Sequence, residues 1–104
     1  MNTSDALREL YGRITALAVG ATSSTSQNVL RVELPDDFVV VLTPGYSLSG
    51  NFFPVTATRT HHGNRKTDYR FIFEGGTWTI EPGQPISDEA IRRCLTPEGP
   101  IAIN

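Results

Sequence analysis

The stretch "NVLRVELPDDFVVVLT", residues 28–43, decides the fold. Leu30, Val32 and Leu34 alternate with Arg31 and Glu33, the period-two pattern of a strand with one buried face. "PDD" supplies turn chemistry, because proline presets φ and aspartate hydrogen-bonds its own backbone. If all three residues form the loop, Leu34 lies opposite Phe38, Val32 opposite Val40 and Leu30 opposite Leu42. That register gathers six apolar side chains on one face, and a slip by one residue would scatter them. "FVVVL" is apolar at every position, so the second strand is expected in mid-sheet, covered on both faces.

Beyond this hairpin, "TPGYSLSGNFFP" (43–54) is an irregular connection rich in Gly, Ser and Pro, the kind of long loop that often carries function. Two further hairpins follow. Gly75-Gly76 makes a two-residue turn that pairs Phe73 with Trp78, Phe71 with Ile80 and Arg70 with Glu81. Tyr69, Phe71, Phe73, Trp78 and Ile80 then form an aromatic core face, with Arg70, Glu74, Thr77, Thr79 and Glu81 opposite. Gly63-Asn64 predicts a second such turn, pairing His62 with Arg65, His61 with Lys66 and Arg59 with Asp68. A strict two-residue turn there points Thr56, Thr58 and Thr60 at the core and Val55 and Ala57 outward. A bulge or an odd-length loop would reverse those faces, and the sequence leaves both alternatives open.

Helices flank the strands. Leu7, Leu10, Tyr11, Ile14, Leu17 and Ala18 recur on one helical stripe, with Ser4 as N-cap and Gly20 as terminator. "ATSSTSQ" (21–27) is small, polar and aperiodic, and reads as a loop. Near the other end, Ser87 caps a short helix with Asp88 and Glu89 in its first turn, Arg92 and Arg93 in its last, and Pro97 beyond; "PIAIN" closes the chain. The expectation is a single α+β domain spanning 1–104: an N-terminal helix packed on a five-stranded antiparallel meander sheet, then a short C-terminal helix.

Composition narrows function. The 104 residues are 38% hydrophobic and 19% charged, as in a globular domain. A formal charge of −2 gives no global attraction to nucleic acid or an anionic membrane. Cys94 is the only cysteine, so an intramolecular disulfide and a cysteine-based zinc cage are excluded. No apolar run reaches membrane-spanning length, and the N-terminus lacks the basic start and apolar block of a signal peptide. A cytoplasmic location is expected, with the sequon Asn2-Thr3-Ser4 a chance match. Eight arginines against one lysine point to the coding bias of a GC-rich bacterial or phage genome.

The chemistry is concentrated in "TRTHHGNRKTDYRF" (58–71), which holds Arg59, His61, His62, Arg65, Lys66 and Arg70 against Asp68 alone, while the rest of the chain is acidic. Catalytic motifs are weak by comparison. "GYSLSG" places Ser49 where a nucleophile elbow needs glycine, and an extended segment follows where the elbow needs a helix. A triad of Ser47, a histidine and Asp68 has nothing to bring it together. His61 and His62, adjacent on a strand, point to opposite faces, and no metal site is expected. The pairs Asp36-Asp37 and Asp88-Glu89 have turn and helix-start roles, and Glu98 lies near the terminus. No phosphate-binding glycine loop is present, and no cofactor is expected.

The expected function is therefore non-enzymatic: a small bacterial or phage accessory or inhibitor protein that binds a macromolecular partner through the basic hairpin. A protein with an acidic patch is the favoured partner, because the arginine fork grips carboxylates. Phe52 and Phe53 are adjacent, so one faces away from the core and becomes an apolar anchor. An open sheet edge would also permit a homodimer. The first alternative is a nucleic-acid-binding β-ribbon, with few cations and no interleaved aromatics to support it. The second comes from the opening helix followed by "LRVELPDDFVVVL": over residues 7–42 it resembles the start of type III secretion chaperones, small acidic proteins that begin with a helix and a hairpin. The long mid-chain helix that this resemblance implies is missing, since 45–70 reads as loop and strand.

Overall fold

The computed structural model describes residues 3–47, 50–81 and 83–97. Ser49, Glu98 and the terminal "PIAIN" lie outside them. The chain runs through α1 (Thr3–Leu17), β1 (Thr22–Ser26), β2 (Val29–Leu34), β3 (Phe38–Pro44), β4 (Phe53–His61), β5 (Asn64–Arg65), β6 (Tyr69–Glu74), β7 (Thr77–Ile80), β8 (Gln84–Pro85) and α2 (Asp88–Cys94). Every pairing is antiparallel and the strand order is β1-β2-β3-β4-β6-β7-β8, with β5 pairing only with β4. The α+β class with a helix at each end matches the expectation; the strand count is eight, where five were expected.

The three extra strands have little hydrophobic signature. "TSSTS" is exposed at every position and is a strand only because it pairs with β2, Thr25 opposite Leu30 and Ser23 opposite Val32. Its turn, Gln27-Asn28, takes φ of +52° and +67°, the twist-matched geometry of a two-residue hairpin. The strands β5 and β8 are two residues each, and Pro85 is tolerated in β8 because no other described strand pairs with that strand's outer edge.

Two expected hairpins form as read. The pairs Leu34–Phe38, Val32–Val40 and Leu30–Leu42 are opposite each other, with Asp36 and Asp37 in the left-handed region that aspartate tolerates. Phe73 faces Trp78 with ring centroids 5.2 Å apart, and Phe71 faces Ile80. The hairpin at 62–65 differs. Its turn is His62-Gly63, one residue earlier than expected, and pairs His61 with Asn64 and Thr60 with Arg65. Further from the tip Ala57 pairs with Tyr69 and Val55 with Phe71. Three residues, 66–68, therefore stand opposite two, 58 and 59, which is a one-residue bulge. That bulge settles the open question: Val55 and Ala57 are fully buried, and Thr56, Thr58 and Thr60 look the other way.

Both helices cover the face that carries these buried residues. From α1 come Ala6, Leu7, Leu10, Tyr11 and Ile14; from α2 come Ala90, Ile91 and Cys94. Full burial of a Leu, Ile or Phe side chain contributes about 1.5–3 kcal/mol each, so this layer supplies most of the stability. Two side chains fix α1 on the sheet: the Tyr11 hydroxyl, whose one proton lies between the Asn28 and Leu42 carbonyls, and Trp78, whose Nε1 donates to the Ala6 carbonyl. Ser87 caps α2 as expected, its Oγ accepting from the Ala90 N–H at 3.1 Å. Ser4 lies inside α1, which begins at Thr3.

Burial also pushes the Cys94 thiol up to about 12, so almost no thiolate forms near neutral pH. Iodoacetamide should leave native Cys94 unlabelled and react fully with the urea-unfolded chain. Equal labelling rates in both states would mean that α2 does not stay docked.

No described element covers the second face of the sheet. Val39 and Val41 of β3 are half-buried there, which corrects the expectation of a strand covered on both faces. Their continuous apolar run is explained by mid-sheet position alone.

Candidate functional site

Only part of the expected basic surface exists. Arg59 is on the helix side of β4, 0% exposed, in the middle of the core. Its Nη1 donates to the Thr67 carbonyl at 2.8 Å and its Nη2 to the Thr96 carbonyl at 2.6 Å. The first is a carbonyl of the bulge and the second lies just past the end of α2, so Arg59 satisfies acceptors that neither ladder nor helix can. The guanidinium also lies over the Tyr69 and Phe38 rings, 4.8 and 5.5 Å from their centroids. The expected Arg59–Asp68 pair does not form, because the bulge moves Asp68 out of register. Asp68 instead receives Arg65, Nη2 to Oδ2 at 2.8 Å.

Arg70 pairs with Glu81 at 2.9 Å, as expected, and its guanidinium lies over Phe52 at 5.7 Å. The two phenylalanines divide as their adjacency requires: Phe53 packs against Trp78 on the core side, with centroids 6.2 Å apart, and Phe52 lies with Arg70. Phe53 is thus half-buried against the core. Arg65 stands opposite Thr60 and Arg70 opposite Thr56, so both project from the helix-free face with Val39 and Val41. Lys66 is exposed, and it is the one cation of residues 58–71 without an ion pair or hydrogen-bonded side chain among the described residues. Exposed pairs of this kind are worth roughly 0.2–1 kcal/mol each, but they neutralise the hairpin.

The histidines converge. The positive φ of His62, +51°, breaks strand alternation and brings its ring to 4.1 Å from that of His61. The expectation of opposite faces fails for that reason. Because Phe38 pairs with His61, the Asp36-Asp37 turn stands beside them. His61 Nε2 lies 3.0 Å from Asp36 Oδ2, and His62 Nε2 3.5 Å from Asp36 Oδ1. The hydrogen bond with His61 holds the Asp36 carboxyl below its ordinary value. The sequence gives Asp36 a turn role alone, because the β3–β4 pairing that brings it beside His61 has no local signature.

No hydrolase triad assembles among the described residues. Ser47 accepts from the Gly50 N–H at 3.0 Å and follows the far end of β3, whereas the histidines lie beside its start. Seven residues of strand place roughly 20 Å between them. A groove of ≈ 570 Å³ beside α1, lined by Leu7, Arg8, Tyr11, Leu30 and Phe53 among others, has no carboxylate, histidine or thiol in its described wall. No helix of the described residues is long and apolar enough to cross a membrane.

Comparison with protein-family models, curated proteins and solved structures gave no match to this chain.

Proposed function

We propose that this chain is a non-enzymatic interaction domain that binds a protein partner across the helix-free face of its sheet. The observation that supports it is the make-up of that face. Half-buried Val39, Val41 and Ile72 sit among Thr56, Thr58 and Thr60, and Arg31, Glu33, Arg65, Arg70 and Glu81 stand around them. An apolar centre with an arginine-rich polar rim is the usual anatomy of a protein-binding patch, and the Phe52–Arg70 stack adds an aromatic anchor at one corner. The hairpin contributes through Arg65 and Lys66, whose neighbours Asp36, Asp37 and Asp68 make its tip mixed in charge. A mixed tip suits a protein better than a polyphosphate backbone, which rewards several unpaired cations. The role is that of a bacterial or phage accessory or inhibitor protein in the cytoplasm, where a lone thiol stays reduced.

The test is affinity capture from host lysate with the wild type and with Val41→Glu/Arg70→Glu, each with and without nuclease. A protein recovered by the wild type, indifferent to nuclease and reduced at least about tenfold by the variant fits the proposal, since losing an anchor of this kind costs more than about 1.4 kcal/mol. Equal recovery by both proteins would overturn it. Nuclease-sensitive capture would transfer the role to nucleic acid.

A further inference from the structure

We propose that Asp36, His61 and His62 form a three-ligand site for a divalent metal ion of the zinc class, a role separate from the protein-binding face. One ligand atom from each residue lies within 4.8 Å of the others. The two histidine contacts with the Asp36 carboxylate are 3.0 Å from His61 Nε2 to Oδ2 and 3.5 Å from His62 Nε2 to Oδ1. Both lie close to the roughly 3.4 Å between neighbouring ligands around a tetrahedral ion with bonds of about 2.1 Å, and either oxygen can turn to serve as the one carboxylate ligand. Two imidazoles and a carboxylate are a borderline-soft donor set that favours zinc, cobalt, nickel or copper over magnesium or calcium.

The surroundings are built as a metal site requires. Asp37 Oδ2 lies 3.8 Å from His62 Nδ1, beyond hydrogen-bond distance, and adds negative charge beside the ring whose Nε2 faces Asp36. His61 is set by an edge-to-face contact with Phe38, centroids 5.9 Å apart, and its side chain is 19% exposed. The backbone is pinned as well, since the His62 N–H donates to the Asp37 carbonyl at 3.0 Å and ties one turn to the other. On binding, each imidazole presents its Nε2 lone pair, so a proton held there moves to Nδ1, or to solvent if the ring was charged. Asp36 is largely exposed, which leaves a fourth position for water.

The experiment is titration of the full chain with Co²⁺ near neutral pH, read by its visible d–d bands, followed by displacement with Zn²⁺. Saturation near one equivalent and bleaching by Zn²⁺ are expected. Asp36→Asn and His62→Asn should each weaken binding by roughly tenfold or more, the loss that even an outer-shell change can produce. Asparagine tolerates the positive φ at both positions, so these variants keep the turns. Cys94→Ser should bind as the wild type does. Absence of a saturable band, undiminished affinity in both asparagine variants, or loss of binding in Cys94→Ser would overturn the site.

Discussion

Arg59→Ala should destabilise the domain by about 3–5 kcal/mol, a large part of the roughly 5–15 kcal/mol that holds a domain of this size together. Two contributions add. The two part-buried hydrogen bonds to the Thr67 and Thr96 carbonyls are lost, each worth about 1.5–3 kcal/mol as a bond from a charged group. The aliphatic stem and the stacking on Tyr69 and Phe38 are lost as well. Arg59→Met keeps most of the volume and loses the bonds, so it should fall between wild type and alanine. Arg59→Lys keeps the charge without the planar fork that spans two acceptors, and should also be intermediate. Urea unfolding followed through Trp78, the only tryptophan, measures the series. The opposing force is desolvation, because burying a guanidinium costs several kcal/mol and no carboxylate pairs with it among the described residues. An Arg59→Met protein as stable as wild type would show that desolvation cancels the two hydrogen bonds.

The second large effect tests the faces of β4. Val55→Asp places a carboxylate, or its protonated form, in a fully buried position opposite Phe71 and should cost at least about 3 kcal/mol. Thr56→Asp, one residue along, should stay within about 1 kcal/mol, because that side chain points to the open face opposite Arg70. The same urea titration compares them. A reversed order would restore the strict Gly63-Asn64 turn and put the threonines inside.

What was legible follows from where hydrophobic pattern exists. The β2–β3 and β6–β7 hairpins could be read residue by residue because alternation and turn residues agree there. The strand β1 could not, since Thr22–Ser26 bury nothing and owe their conformation to a neighbour. The short β5 and β8 are too brief to show any period. Composition alone singles out Phe52, Arg65 and Arg70 as candidates, whereas their placement on one face depends on the register. Arg59 was misjudged because a charged residue is rarely buried without a carboxylate, and its partners are backbone carbonyls that no side-chain pattern announces. The histidine pair was misjudged because the turn lies at His62-Gly63, one residue before the expected glycine-led turn.

The bulge at 66–68 has a consequence for how this hairpin can change over time. Because side chains alternate, the count of residues between Arg65 and Tyr69 works as a parity bit for β4. Losing one residue there would set the β4–β6 pairing of the hairpin against the β3–β4 pairing that keeps Val55, Ala57 and Arg59 inside. Gaining or losing two would restore every face and alter only the reach of the tip. An odd change in length at the tip must therefore be absorbed by the turn or by the bulge itself, whereas an even one leaves both registers of β4 as they are.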